Sequence, residues 1–310
     1  TKIMTKLPLI TIVMGTRPEA IKIAPVILAL KHSNKVQIRV ILTGQHKEMI
    51  DQVMIFFGLK ADIDLNLMKP NQTLNHITCK VLNGLEEEFS SHRPDLLLVQ
   101  GDTSTSFSAA LSAFYKKIPI AHIHGGEVTV GAFDDALRHS ISKFSKLHFT
   151  STEKSRRRVI QLGENPETVF CVGSLGVERI SQLENHFLSE ATLEKALGIR
   201  FNARRLVVTY HPETLQTDYS STDLSNVLCA LEDLKDTTII FTMPNADTGF
   251  KKLFNKIERF VAMKPTNRVA VKSLGLLRYY SLLNCVDAVL GNSSNGILEA
   301  PSFKIGTINI

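Results

Sequence analysis

The sequence predicts an α/β protein built as two halves, each a parallel sheet with helices on both faces. Three observations predict it. Strand-like and helix-like segments alternate along most of the chain, the pattern of β–α–β units. The segment Asp95-Leu-Leu-Leu-Val-Gln100 is almost wholly apolar, as a strand is when both faces of its sheet are covered. The strand-like segments also end, again and again, in loops rich in glycine and polar residues, and strand ends are where open α/β sheets bind ligands.

Taken in order, residues 9–15 form an apolar strand and 19–32 a helix by spacing. Residues 36–43 form the second strand, with helices near 48–57 and across 73–91. Strand 95–100, helix 104–115, strand 118–123 and helix 133–145 continue the alternation, and 147–151 and 169–172 read as weaker strands. The rhythm pauses from Gly173 to Arg205 in a polar, charged stretch. It resumes with strands 206–210, 238–243, 269–271, 286–290 and 306–310, separated by helices near 224–234, 250–262, 276–283 and 296–300. Two Rossmann-like domains follow, 1–175 and 176–310. The chain stops on an apolar strand, which reads as a chain cut short, and Thr1 leaves the other end open as well.

With 310 residues, 44% hydrophobic and 21% charged, the composition is that of a globular protein large enough for two domains. No apolar run reaches membrane-span length, and the N-terminus lacks the apolar core of a secretory signal. The four cysteines are isolated, without metal-ligand or redox spacing, and read as buried thiols of a cytoplasmic protein. The net charge of +6 suits an anionic small molecule. The basic run Lys154-Ser-Arg-Arg-Arg158 has no interleaved aromatics to stack bases and reads as a solvated helix face, so no nucleic-acid partner is expected.

The densest chemistry lies in His122-Ile-His-Gly-Gly-Glu127 and Asp134-Asp-Ala-Leu-Arg138-His139. Gly125 and Gly126 permit a sharp turn and a close approach to substrate, while Asp134 and Asp135 open a helix whose N-terminus favours negative charge. His122 and His124 share a strand face, but no third ligand is placed in sequence and no metal is expected. In Gly15-Thr-Arg17-Pro-Glu-Ala-Ile-Lys22, a Pro-led helix start puts backbone amides, Arg17 and Lys22 where a phosphate can sit; an ordinary turn is the alternative. Asp102 is either a helix cap or a catalytic acid. His211 can touch a phosphate, transfer a proton or be structural. The loop around Asn245 has the composition of a plain turn. Gly291-Asn-Ser293-Ser294-Asn-Gly296 is the strongest phosphate candidate, with hydroxyls and amides at a helix start; Glu299 can serve ribose hydroxyls or its own helix.

These residues resemble the UDP-N-acetylglucosamine 2-epimerases over essentially the whole chain. From His122 onward the chain is similar to the hydrolysing branch, in His122-Ile-His-Gly-Gly-Glu-Val-Thr129, Asp134-Asp-Ala-Leu-Arg-His139, Leu147-His-Phe-Thr-Ser-Thr-Glu153, Tyr210-His-Pro-Glu-Thr214, Pro244-Asn-Ala-Asp-Thr-Gly249 and Gly291-Asn-Ser-Ser-Asn-Gly296. Gly15-Thr-Arg-Pro-Glu-Ala-Ile-Lys22, Thr43-Gly-Gln-His46 and Gly101-Asp-Thr103 look instead like the non-hydrolysing branch. Hydrolysing members carry an Arg where this chain has Thr103, and non-hydrolysing members place their Glu at the position of His124 rather than Glu127.

The resemblance implies a glycosyltransferase-B arrangement of the two domains and UDP-N-acetylglucosamine as substrate. It implies catalytic roles for Asp102, Glu127 and Asp134, with UDP held by Arg17, His211, Asn245, Ser293, Ser294 and Glu299. Lys22, Arg138 and His139 are possible supports. The expected reaction is hydrolysing epimerisation, through elimination to 2-acetamidoglucal, for sialic acid-type sugar synthesis. The alternative is interconversion of UDP-GlcNAc and UDP-ManNAc; a glycosyltransferase-B transferase or an inactive UDP-sugar-binding fragment is further off. The chemistry requires no metal and no redox cofactor, and relatives imply a homo-oligomer, dimer or tetramer.

Overall fold

The structure, a computed structural model, describes residues 7–44, 47–67, 72–211, 220–243, 251–272 and 274–310; of residues 47–49, 182, 220–222, 251–252 and 294–295 it describes the backbone alone. Two compact units emerge, Thr1–Leu175 and Gly176–Ile310, each around its own parallel sheet.

The first unit carries strands β1 (Leu9–Met14), β2 (Gln37–Leu42), β3 (Ile63–Asp64), β4 (Leu96–Gln100), β5 (Ile120–Ile123), β6 (Leu147–Thr150) and β7 (Val169–Cys171), and helices α1 (Arg17–Ser33), α2 (Lys47–Phe56), α3 (Leu74–Ser91), α4 (Ser104–Tyr115), α5 (Asp134–Phe144), α6 (Glu153–Gln161) and α7 (Leu175–Leu183), the last crossing into the second unit. The sheet order is β3-β2-β1-β4-β5-β6-β7. Successive strands step one way from β1 and the other way from β4, so the chain reverses between β1 and β4. In β4, Leu97 and Val99 enter one core layer and Leu98 the other, which is why the run shows no alternation in sequence.

The second unit carries α8 (Glu190–Leu197), β8 (Arg204–Thr209), α9 (Ser220–Glu232), β9 (Thr237–Thr242), α10 (Lys251–Met263), β10 (Arg268–Val271), α11 (Gly275–Leu283), β11 (Ala288–Gly291), α12 (Ser294–Leu298) and β12 (Gly306–Asn309). Its sheet order, β10-β9-β8-β11-β12, reverses between β8 and β11. Leu206 and Val208 of β8 fill one layer and Val207 the other. The α/β class with parallel sheets is thus as expected.

Three expectations are corrected. The polar stretch 173–205 is not a pause: it holds α7 and α8. Helix α8 is capped by Ser189, whose hydroxyl accepts from the Thr192 amide at 3.3 Å, and ended by Gly198 at φ 68°, with Leu193 and Leu197 buried one turn apart. Two apolar positions in eight are easily hidden by charges. The cysteines are not buried thiols: Cys79, Cys171 and Cys229 are exposed, because they sit on the solvent faces of α3 and α9 and on the edge strand β7. The short strand β3 had no apolar run to announce it. Among the described residues, no helix is long and apolar enough to cross a membrane.

Candidate active site

In the first unit the chemistry gathers at the carboxyl ends of β1, β4, β5 and β6, around the point of chain reversal, where α/β sheets bind ligands. Arg138, on α5 and buried, ties the loops together. Its Nη2 donates to the Asp102 carboxylate after β4 and, at 3.1 Å, to Thr129 Oγ1. Its Nη1 donates to the Glu127 carbonyl at 2.9 Å and to Asp135 Oδ1 at 3.2 Å. Asp102 is therefore an ion-pair partner and not a helix cap; the cap of α4 is Thr103, whose hydroxyl accepts from the Ser106 amide at 3.0 Å.

Behind Asp102, His122 is buried with both ring nitrogens engaged. Nε2 faces the Gly101 carbonyl at 2.7 Å, which can only accept, so Nε2 carries the proton and Nδ1 accepts from Ser142 Oγ at 3.0 Å. Burial drives the His122 pKa down to about 3, against the opposing bond to Gly101. It is a neutral strut under the Asp102 loop, and its ring has no nitrogen left for a metal.

Glu127 accepts from the Ser151 hydroxyl at the end of β6 and lies 3.7 Å from His124 Nε2. His124 holds a left-handed backbone, φ 72°, unusual for a residue with a side chain. Its pKa is lowered by burial first and by the Lys22 charge second, with Glu127 pulling the other way. Asp134 is half-buried at the start of α5, and burial, then the charge of Asp102, raise its pKa against Arg138. Its neighbour Asp135, in the first turn of α5, pins the preceding loop instead, accepting from the Thr129 amide at 2.8 Å and facing His139 Nε2 at 3.4 Å.

One expectation about backbone approach is corrected here, and the other gains a reason within the protein. A Cβ on Gly126 would lie 2.2 Å from the Ser155 carbonyl of α6, and one on Gly125 2.9 Å from His122 Nδ1. The glycines let the loop press on the protein itself. The amides of Gly15 and Thr16 are not available to a phosphate. The Glu19 carboxylate accepts both, at 2.9 and 2.8 Å, as half of a capping box with Thr16. Arg17 opens α1 beside them, with Pro18 the second residue of the helix. The run 154–158 is likewise not wholly solvated: Arg158 Nη1 donates to the Gly126 carbonyl and Arg156 Nε to that of Val169 at 2.9 Å.

In the second unit, the loops after β8 and β11 flank that sheet's own reversal point. His211 and Asn292 join them: the His211 amide donates to Asn292 Oδ1 at 2.7 Å, and Asn292 Nδ2 to the His211 carbonyl at 2.5 Å. Gly291 is required, since a Cβ there would fall 1.8 Å from the Thr209 carbonyl. Ser293 follows, and α12 starts at Ser294, whose side chain lies outside the described residues, as does all of Asn245. Glu299 is buried, and Tyr280 of α11 donates to its Oε1 at 3.2 Å. Burial, then Glu299, raises the Tyr280 pKa; Arg179, fully buried with them, is lowered to about 10 by burial.

The structure thus brings Asp102, Glu127, Asp134, Arg138, His124 and Lys22 into one electrostatic neighbourhood, and His211 beside the Ser293 loop. His139 turns to Asp135. Ser151, Thr129, Arg158 and Glu19 were missed. Only Glu19 left a signal, the Thr-x-x-Glu spacing from Thr16.

Two parallel sheets, each with polar loops gathered at its own reversal point, define a doubly wound α/β protein of the ligand-binding class. The model of the UDP-N-acetylglucosamine 2-epimerases matches residues 28–310. The polysialic acid biosynthesis protein P7 of Escherichia coli is 35% identical over 309 residues, covering 96% of this chain and 77% of that protein. The GDP/UDP-N,N'-diacetylbacillosamine 2-epimerase (hydrolyzing) of Campylobacter jejuni is 33% identical, over 97% of this chain and 79% of its own length. The crystal structure of UDP-GlcNAc 2-epimerase from Neisseria meningitidis bound to UDP-GlcNAc superposes with a TM-score of 0.84 at 29% identity, over 97% of this chain and 82% of that one. The chain belongs to the UDP-N-acetylglucosamine 2-epimerase family of enzymes.

Proposed function

We propose that this protein is a hydrolysing 2-epimerase that converts UDP-N-acetylglucosamine and water to N-acetylmannosamine and UDP. The observation that carries it is the Glu127 loop held against Asp102 by Arg138, with Asp134 alongside. The relative from Campylobacter jejuni, named as hydrolyzing, supports the same branch.

The C2 proton of the sugar becomes acidic only as the C1–O bond to UDP weakens and C1 gains positive character. Elimination then needs a base at C2 and stabilisation of the departing diphosphate. The C2–H electron pair forms the C1=C2 bond of 2-acetamidoglucal as UDP leaves. Water then adds at C1, and a proton is delivered to the opposite face of C2. One carboxylate cannot reach both faces, so Asp102, Glu127 and Asp134 divide the work. Asp134, with its raised pKa, is suited to hold the proton that is delivered. Arg17, His211, Asn245, Ser293, Ser294 and Glu299 bind the UDP portion, with Lys22 and Arg138 supporting.

The non-hydrolysing reaction is the second reading, favoured by the Glu19–Thr103 contact, which joins two of the segments that resemble that branch. Substitution Glu127→Gln tests the proposed site. Turnover is expected to be abolished with UDP binding nearly unchanged; unchanged turnover removes Glu127 from the chemistry.

A further inference from the structure

Glu19 is a buried carboxylate outside the proposed catalytic set. Its Oε2 closes the capping box of α1, accepting from the Gly15 amide, the Thr16 amide and, at 3.0 Å, the Thr16 hydroxyl. A cap requires no more than that. Its Oε1 turns instead to the neighbouring strand's loop, where Thr103 Oγ1 donates at 2.5 Å and Ser106 Oγ at 2.8 Å, across 84 and 87 residues of sequence. One carboxylate thus bonds the loop after β1 and the loop after β4, the two strands between which the sheet reverses. The loop after β1 also packs tightly on the start of α4: a Cβ on Gly15 would lie 2.4 Å from Thr105 Oγ1. Arg17 follows the first set of contacts, and Asp102 immediately precedes Thr103.

We propose that Glu19 is the positioning residue of this site. Its carboxylate fixes the Arg17 loop relative to the Asp102 loop, so that Asp102 meets C2 while the diphosphate is held. The inference rests on the function proposed above. A buried charge with five donors is rigid, and a link of this kind matters because reacting groups displaced by about an ångström lose on the order of a hundredfold in rate. Thr103 is the lever on the Asp102 side and leaves the Arg17 side untouched.

The test is a set of Thr103→Val, Thr103→Ser, Glu19→Gln and the Glu19→Gln/Thr103→Val pair, assayed for kcat with UDP-GlcNAc, UDP affinity and melting temperature. Thr103→Val is expected to fold, to lose on the order of tenfold in kcat and to keep UDP affinity within about twofold. Thr103→Ser, which keeps the donor, is expected to restore kcat. Glu19→Gln is expected to lose as much kcat, and the pair no more than the larger single loss, since both cut the Glu19–Thr103 link, while the melting temperature reads the separate losses of the α1 capping box and the α4 cap. Folded Thr103→Val with wild-type kcat, or losses that multiply in the pair, overturns the positioning role. If Glu19→Gln fails to fold, the two Thr103 variants decide the matter alone. Absence of UDP-GlcNAc turnover by the unmodified protein overturns the function and the inference together, whereas turnover with insensitive variants overturns the inference only.

Discussion

Burial of His122 makes the fold acid-sensitive. In the unfolded chain the imidazole titrates near its ordinary 6.5, and in the folded chain near 3. Because the folded pKa is depressed, the stabilisation is fully present above 6.5 and is lost as pH falls toward 3; the unfolded state takes up a proton that the folded state refuses. Each bound-proton difference steepens the dependence by about 1.4 kcal/mol per pH unit, so His122 alone contributes about 2 kcal/mol of lost stability between pH 8 and pH 5. His124 and His148 are shifted in the same direction, by burial first, and add to the slope. The assay is urea unfolding followed by circular dichroism at a series of pH values, on the protein and on His122→Asn, which is uncharged throughout. The variant is expected to be less stable at pH 8, having lost the strut, but to lose about 2 kcal/mol less on going to pH 5. A variant with the same pH dependence as the parent refutes the claim that a buried neutral His122 underlies the acid sensitivity.

Arg138→Met cuts the ties to Asp102 and to the Glu127 carbonyl. It is expected to destabilise by about 2–3 kcal/mol, moderated because Asp102 is partly exposed, and to abolish turnover; wild-type unfolding midpoints contradict this. Gly126→Ala forces a methyl group onto the Ser155 carbonyl at a left-handed backbone position and is expected to cost about 2–4 kcal/mol by thermal unfolding, against about 1–2 kcal/mol of backbone strain alone for Gly163→Ala, where the nearest atom is 3.7 Å away. Ser294→Ala is expected to weaken UDP binding in a calorimetric titration, and tight binding removes that loop from the nucleotide site.

Legibility in the sequence followed the physics of each element. Helix α4, Ser104–Tyr115, was readable to the residue because Thr103 caps it and its alanines and serines pack a continuous buried face. The loops at both reversal points were readable because they pair glycine with charge directly after apolar strands. Helix α8 was not, since Leu193 and Leu197 are its only buried residues among charges. The packing of Gly125 on His122 and of Gly126 on Ser155 was not legible, because sequence alone does not show which parts of the protein a glycine presses against. Glu19 showed its capping spacing, but its second oxygen acts across 84 residues, a distance no local pattern carries. The Arg138 clamp was legible only as an arginine near carboxylates, because its partners come from two separate loops as well as its own helix.

The central claim is most directly tested by proton NMR of UDP-GlcNAc incubated with the protein in deuterated water. Free UDP and N-acetylmannosamine deuterated at C2 are the predicted products. An equilibrium of deuterated UDP-GlcNAc and UDP-ManNAc contradicts hydrolysis, and unlabelled, unchanged substrate contradicts proton abstraction at C2 altogether.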